Sequence, residues 1–399
     1  MSPHDAALSL LEYCRANDWA GYDPYDAINS RLFEIVPFLD SRLPRLVLTQ
    51  ALKRSPINLR PALLVPKTRN PKGLGLFLAA VVRLDRSGLL NDNSLVGTLI
   101  DLLKGARSQN ARYSCWGYSF AWQTRTIVVP RGTPNLVCTT FVADALLDAY
   151  EHCGEQELLT MAFSAAEYIA NELFWTEGNS IASLSYPMPR ERSRVHNANF
   201  LGAALLCRVS RLTGEKKFLE PALKVARYSA GCQHSDGSWP YGERANQAWI
   251  DNFHTGFNLC ALRALGSSLE SDEFEPHIRR GFAFYFEHFF LKDGTPKYFH
   301  DRTYPIDSHC VSQSIITLLQ LKELAPGSSE LAQSVFRWAI SNLWDSSGYF
   351  YYRKLPFCTI RTSYMRWVQA WMLLALATLC EEAALTNGKA AVSAAQGRR

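Results

Sequence analysis

None of the ten cysteines pairs into a Cys-x-x-Cys motif, and most lie inside apolar helical patterns. A reduced cysteine there packs as a small hydrophobe, so the pattern points to a reducing compartment without disulfides. Long basic runs are absent too. The 42 basic residues against 37 acidic ones leave a net charge of +5, which does not demand nucleic acid as a partner. The first residues, Met-Ser-Pro-His-Asp-Ala-Ala-Leu, lack the basic and apolar regions of a signal peptide. No apolar run reads as long enough to span a bilayer. These absences lead to the expectation of a soluble, cytoplasmic protein with no integral membrane segment.

What the chain has is apolar bulk, aromatics and a repeat. It is 47% apolar over 399 residues, ample for a large core, with 10 Trp, 17 Tyr and 21 Phe. Asn199, His254, His309 and Tyr364 follow one another at 55-residue steps, and each opens an apolar helical stretch. The loops before the last three repeat as well: Ser-Asp-Gly-Ser-Trp-Pro-Tyr (235–241), Lys-Asp-Gly-Thr-Pro-Lys-Tyr (292–298) and Asp-Ser-Ser-Gly-Tyr-Phe-Tyr (345–351). A fixed period with two helices per unit marks a helical repeat architecture.

Apolar periodicity and cap residues predict helices at roughly 5–16, 39–54, 72–86, 92–106, 137–152, 155–173, 199–213, 216–232, 252–267, 273–290, 308–324, 329–343 and 361–382. Long aromatic loops lead into one set of helices, and short connections lead back out. Closing such hairpins in a ring buries the inner helices and leaves a central funnel. The expected fold is all-α, an α/α toroid (barrel) of about six to seven helical hairpins over 1–384, with a flexible tail at 385–399. An open solenoid is the rival arrangement.

The chemistry concentrates at the start of the helix near 252. Asp251 and His254 are three residues apart at a helix start and share a face. The preceding loop brings Trp239, Tyr241 and Glu243. His309 and Asp307 repeat the pairing one unit later. A lone histidine usually satisfies a hydrogen bond in the fold. Two at one repeat position, each beside a carboxylate, suit acid–base work near neutral pH. Asp236 and Asp293 precede glycine at equivalent places and read as turn residues, so Glu243 is the better candidate acid. The catalytic set is then His254, Asp251, Glu243, His309, Asp307 and Tyr364. Trp239, Tyr241, Trp116 and Trp122 are candidate stacking platforms for sugar rings. Arg361 and His196, at the repeat position of Asp251, and Asn199, at that of His254, complete the substrate-binding set. Several more arginines, Arg125 among them, sit in the same loops and favour an anionic ligand. His254, Asp307, His309 and Cys310 offer ligand types that zinc accepts, but at no standard spacing. No metal and no cofactor is expected.

Gln233-x3-Gly237-x-Trp239 resembles the core of the QW motif of triterpene cyclases. Asp251-Asn-Phe-His254-Thr255 is similar to the stretch carrying the zinc-binding histidine of protein prenyltransferase β subunits. Over most of the chain, segments 19–30, 233–257 and 304–314 resemble uncharacterised toroid proteins encoded near bacterial exopolysaccharide genes. The resemblances imply the α/α-toroid superfamily, six-hairpin glycosidase-like or terpenoid cyclase–prenyltransferase-like, and a role in polysaccharide synthesis or modification. The Asp-x-Asp-Asp acid motif of the cyclases is missing. The expected activity is therefore that of a glycoside hydrolase, polysaccharide lyase or uronate epimerase on an acidic oligosaccharide or sugar precursor. An isoprenoid enzyme and a non-catalytic glycan-binding scaffold are the other two readings.

Overall fold

The computed structural model describes residues 1–36, 41–124 and 127–396. Arg125 and the last three residues of the expected tail lie outside them. Six helices form an inner ring: α4 (Pro71–Arg86), α6 (Leu136–Cys153), α8 (His196–Thr213), α10 (Asn252–Leu269), α12 (Ser308–Gln320) and α14 (Ala370–Gln396). Each packs on the next, and α14 packs back on α4, so the ring closes. Five outer helices pack on the inner helix that precedes them: α5 (Asn93–Gly105), α7 (Gln156–Tyr168), α9 (Leu219–Gly231), α11 (Glu275–His288) and α13 (Ser328–Leu343). The sixth outer place is taken by α1 (Pro3–Ala16), which packs on α14. The chain's two ends thus make one hairpin, and the toroid has six. Two further helices, α2 (Leu32–Ile35) and α3 (Arg42–Arg54), belong to the long segment between α1 and α4.

The inner helices are apolar nearly all round. Of α4, Pro71 to Val82 and Leu84 are buried, as befits a helix flanked by two ring neighbours and an outer partner. Their starts are set by caps. Asn70, Asn135, Asp251 and Asp307 each accept a backbone N–H from the first turn of the helix they precede. The ends of α6 and α8 are set by Gly154 and Gly214, both left-handed.

The three repeated loops are turns of one kind. Asp236, Asp293 and Asp345 each accept the backbone N–H two residues on, from Ser238, Thr295 and Ser347. The glycine of each turn has positive φ. At Gly237 a Cβ would also lie 2.3 Å from the Arg280 carbonyl oxygen, so the loop can press onto α11 only without one. Short ribbons decorate the loops, such as Phe174–Glu177 paired antiparallel with Ile181–Leu184.

One expectation needs correction. The helical stretch Met365–Thr386 is long and apolar enough to cross a membrane by length and composition. It is the last inner helix of the ring, and 67% of its most apolar window is buried inside the protein. The same apolarity serves a core helix here.

Candidate functional site

The inner helices all begin at one end of the ring. Their second residues are Lys72, Val137, Asn197, Phe253, His309 and Arg366, counting the turn Met365–Gln369 as the start of the last. All six line a single cavity of about 520 Å³ and form its floor. Loop aromatics make the wall, among them Tyr118, Trp122, Tyr241, Trp249 and Tyr298, and Lys53 of α3 stands at the rim.

This register explains which of the 55-spaced residues reach the cavity. The caps fall at Val195, Asp251, Asp307 and Tyr364, steps of 56, 56 and 57 residues. A 55-residue step therefore slips back along the helix and turns the side chain by roughly 100° for each residue of slip. Asn199 is the fourth residue of its helix, His254 the third, His309 the second, and Tyr364 is a cap. His254 and His309 face the cavity; Asn199 and Tyr364 do not.

His254 is held on two sides. Its Nδ1 lies 2.7 Å from Asp251 Oδ2, and its backbone N–H donates to Asp251 Oδ1 at 2.9 Å. Trp249 Nε1–H donates to the same Asp251 Oδ2 at 2.9 Å. Asp251 is buried, while His254 keeps 20% of its side chain accessible. With Nδ1–H given to the carboxylate, the Nε2 lone pair is left for the cavity. Tyr241 packs 4.5 Å from the His254 ring and stacks on Trp249 at 4.6 Å.

His309 is enclosed. It stacks on Phe253 at 4.5 Å and Trp371 at 4.8 Å and meets the edge of Trp367 at 4.6 Å. Neither ring nitrogen has a hydrogen-bond partner among the described residues. Burial keeps this imidazole well below its ordinary pKa, and the charges of Lys72 and Arg366 push the same way. It is neutral.

Lys72 completes the floor. Burial holds its amine well below the ordinary lysine range, and the Arg366 charge adds to this. Its Nζ lies over the rings of Phe141 at 4.3 Å and Trp371 at 5.2 Å, which partly offset the loss of water. Arg366 donates to Asp23 Oδ2 at 2.7 Å and packs on Tyr118. Lys72, Arg366, Asn197 and Trp249 are absent from the sequence-derived set. The signal for the first three was the helix cap, since counting two residues on from each cap finds the floor.

Other expected site residues lie elsewhere. Trp116 is buried and donates its indole N–H to the Leu103 carbonyl at 2.9 Å. Trp239 is buried and donates to the Ser229 carbonyl at 3.0 Å. Neither can stack on a ligand, because both are committed to the seams between helices. Trp122 and Tyr241 do line the cavity. Asn199 accepts the Leu184 N–H at 2.9 Å and is a buried loop anchor. Tyr364 is buried against Tyr352 and Arg60. Asp307 caps α12 and accepts from Trp367 and Arg353 behind the floor. Glu243 and His196 sit between α8 and α9, outside the cavity lining. The zinc set His254, Asp307, His309 and Cys310 is not assembled. Among the described residues, the group with metal-ligand spacing is His196, Cys232 and Glu243.

Arg361 is exposed, 5.4 Å from the Tyr351 ring, and does not line the cavity. Arg361→Ala is expected to leave ligand binding unchanged and stability within about 0.5 kcal/mol, as for most surface substitutions. A ligand titration and a melting curve on one preparation check it.

No protein-family model matches the sequence, and no curated protein sequence matches it. Solved structures do. A sugar epimerase from a ruminal bacterium superposes with a TM-score of 0.58 at 10% identity, covering 78% of this chain and 87% of its own. Cellobiose 2-epimerase from Bacillus thermoamylovorans B4167 gives 0.59 at 13% identity, covering 77% and 87%. An unsaturated glucuronyl hydrolase specific for heparin gives 0.56 at 12% identity, covering 79% and 88%. At such identities the likeness shows the fold alone: an α/α toroid of six hairpins.

Proposed function

We propose that this protein is a carbohydrate-active enzyme that moves a proton at the carbon beside a sugar carbonyl, in the manner of an epimerase. The observation that carries this reading is the cavity's make-up. It presents a carboxylate-backed imidazole, His254, and a buried amine, Lys72, to one cavity. Among the described lining residues the single carboxylate is Glu191, which is paired with Arg244 at 3.4 Å. Glycoside hydrolysis generally calls for two carboxylates across the bond. Proton abstraction calls for a base and a group that steadies the enolate oxygen. The toroidal sugar epimerases with the same fold fit this choice.

In this reading His254 Nε2 removes the proton, Asp251 steadies the imidazolium that forms, and that imidazolium returns a proton to the enolate carbon after the carbon has turned its other face to it. Lys72 donates a hydrogen bond to the carbonyl oxygen and stabilises its developing charge. The two unpartnered nitrogens of His309 receive a sugar hydroxyl once the covering rings shift, since buried orphan polar groups at such a site want a partner. Tyr241 and Trp122 flank the sugar ring. Lys53 at the rim, whose ammonium donates to the Tyr25 hydroxyl at 2.7 Å, favours an acidic sugar over a hydrocarbon chain. The setting in polysaccharide synthesis or modification belongs to the same proposal and rests on the sequence resemblance. The test is incubation with reducing disaccharides and hexuronates in deuterium oxide. Deuterium at the carbon beside the carbonyl, with chain length unchanged, supports the reading. Cleavage without deuterium uptake sinks it.

The lowered pKa of Lys72 fixes a pH dependence. The ammonium form donates the hydrogen bond, so activity is lost as pH rises through that pKa. The alkaline limb should therefore fall below the ordinary lysine range. Lys72→Arg should move the limb upward, since arginine stays charged. A pH–rate profile of both proteins that shows the same limb would remove Lys72 from the reaction.

A further inference from the structure

Outside the funnel, between α8 and α9, a ring nitrogen of His196, the thiol of Cys232 and a carboxylate oxygen of Glu243 lie within 4.8 Å of one another. We propose that these three side chains bind a divalent transition-metal ion of the zinc type, which clamps the loop 233–250 to the start of α8 and the end of α9.

The donors are chemically matched. Imidazole, thiolate and carboxylate are the ligand types zinc takes, and three protein ligands with a fourth position open is a common zinc arrangement. His196 is buried, and its Nδ1 faces the Ser229 hydroxyl at 3.3 Å. That leaves Nε2, which has no hydrogen-bond partner among the described residues. A buried imidazole with one nitrogen held and the other orphaned is how metal-binding histidines are oriented. Glu243 is held from two sides. Its Oε2 accepts from Arg194 at 3.1 Å, while Oε1 faces Cys232 Sγ at 3.9 Å and the Tyr228 hydroxyl. A tetrahedral zinc would hold sulfur and oxygen ligands about 3.5 Å apart, so a small closure suffices. Tyr228 or water supplies the fourth ligand.

Charge also closes. The cation is balanced by the Cys232 thiolate and the Glu243 carboxylate, and Arg194 is balanced by Glu177 at 3.1 Å. Burial pushes the Cys232 thiol up to about 11, so binding displaces its proton to solvent. Burial holds His196 down at about 4, which leaves it neutral and ready as a ligand. Cys232 and Glu243 are only partly buried, so an ion can enter from solvent. The backbone links this site to the funnel. The His196 N–H donates to the Tyr241 carbonyl at 3.2 Å, and Tyr241 is the residue stacked beside His254.

The experiment is a cobalt titration of the full chain after a chelator has stripped it, followed by displacement with zinc. The expected result is one equivalent bound, with thiolate-to-cobalt charge-transfer absorption that zinc abolishes, and a melting temperature raised by zinc. Cys232→Ser should lose the absorption and weaken binding at least tenfold; Glu243→Gln should weaken it likewise. Cys358→Ser, an exposed thiol elsewhere, should change nothing. Unsaturable binding by the wild type, or absorption retained in Cys232→Ser, would overturn the proposal. Neither readout involves turnover, so the result stands apart from the proposed sugar chemistry.

Discussion

His254→Ala is expected to lower solvent deuterium uptake by about 10²–10⁴-fold, the typical loss for a general base. The fold should survive. His254 is the cavity-side member of its pair, whereas the cap of α10 is the Asp251 carboxylate accepting a backbone N–H that alanine still provides. Asp251→Asn separates positioning from chemistry. Asparagine caps a helix about as well as aspartate, so helix content should hold. It can no longer carry the charge that steadies an imidazolium, so turnover should fall while substrate affinity stays near wild type. The measurement pairs circular dichroism melting with deuterium uptake on the same preparations. Early melting of His254→Ala would make it a structural residue. A stable and fully active His254→Ala would take the α10 start out of the site.

Trp239→Ala is expected to cost stability by about 3–5 kcal/mol, the usual range for removing a large buried aromatic. Trp239 is 2% exposed and meets Phe200 edge-on at 5.8 Å. Its indole N–H satisfies the Ser229 carbonyl at the end of α9. Gly281 of α11 gives it room, since a Cβ there would lie 2.7 Å from the indole. Alanine leaves a cavity between two hairpins and takes one of two donors from the Ser229 carbonyl, which keeps the Cys232 N–H at 3.3 Å. Trp239→Phe should keep the aromatic contact with Phe200 but lose the hydrogen bond, about 1 kcal/mol, and part of the indole's packed volume, so its cost falls between wild type and alanine. Denaturant titration of the three proteins decides. A Trp239→Ala protein of wild-type stability with weakened ligand affinity would restore the stacking role that its place in the loop suggested.

The helices and their spacing were legible in the sequence because they are local. Apolar periodicity and cap residues such as Asn70, Asp251 and Asp307 act within a turn or two of chain, and so do the Asp-Gly turns at 236 and 293. The repeat also said that Asn199, His254, His309 and Tyr364 lie at one end of the ring. The expectation that all four face the centre holds for His254 and His309 and fails for Asn199 and Tyr364. Each residue of slip between the 55-residue chemical step and helical steps of 56 to 57 residues turns a side chain by roughly 100°, enough to bury Asn199 and Tyr364 while His254 keeps its place at the cavity. The closed α/α toroid was expected for the same reason; which elements close it was not. Closure joins α1 to α14, and the floor depends on Arg366 meeting Asp23 across 343 residues of chain. Contacts of that range leave no period in the sequence. The fate of an aromatic is equally tertiary. Trp122 and Trp239 both sit in loops before inner helices, and only the packing of neighbouring hairpins turns one to the funnel and the other into the core.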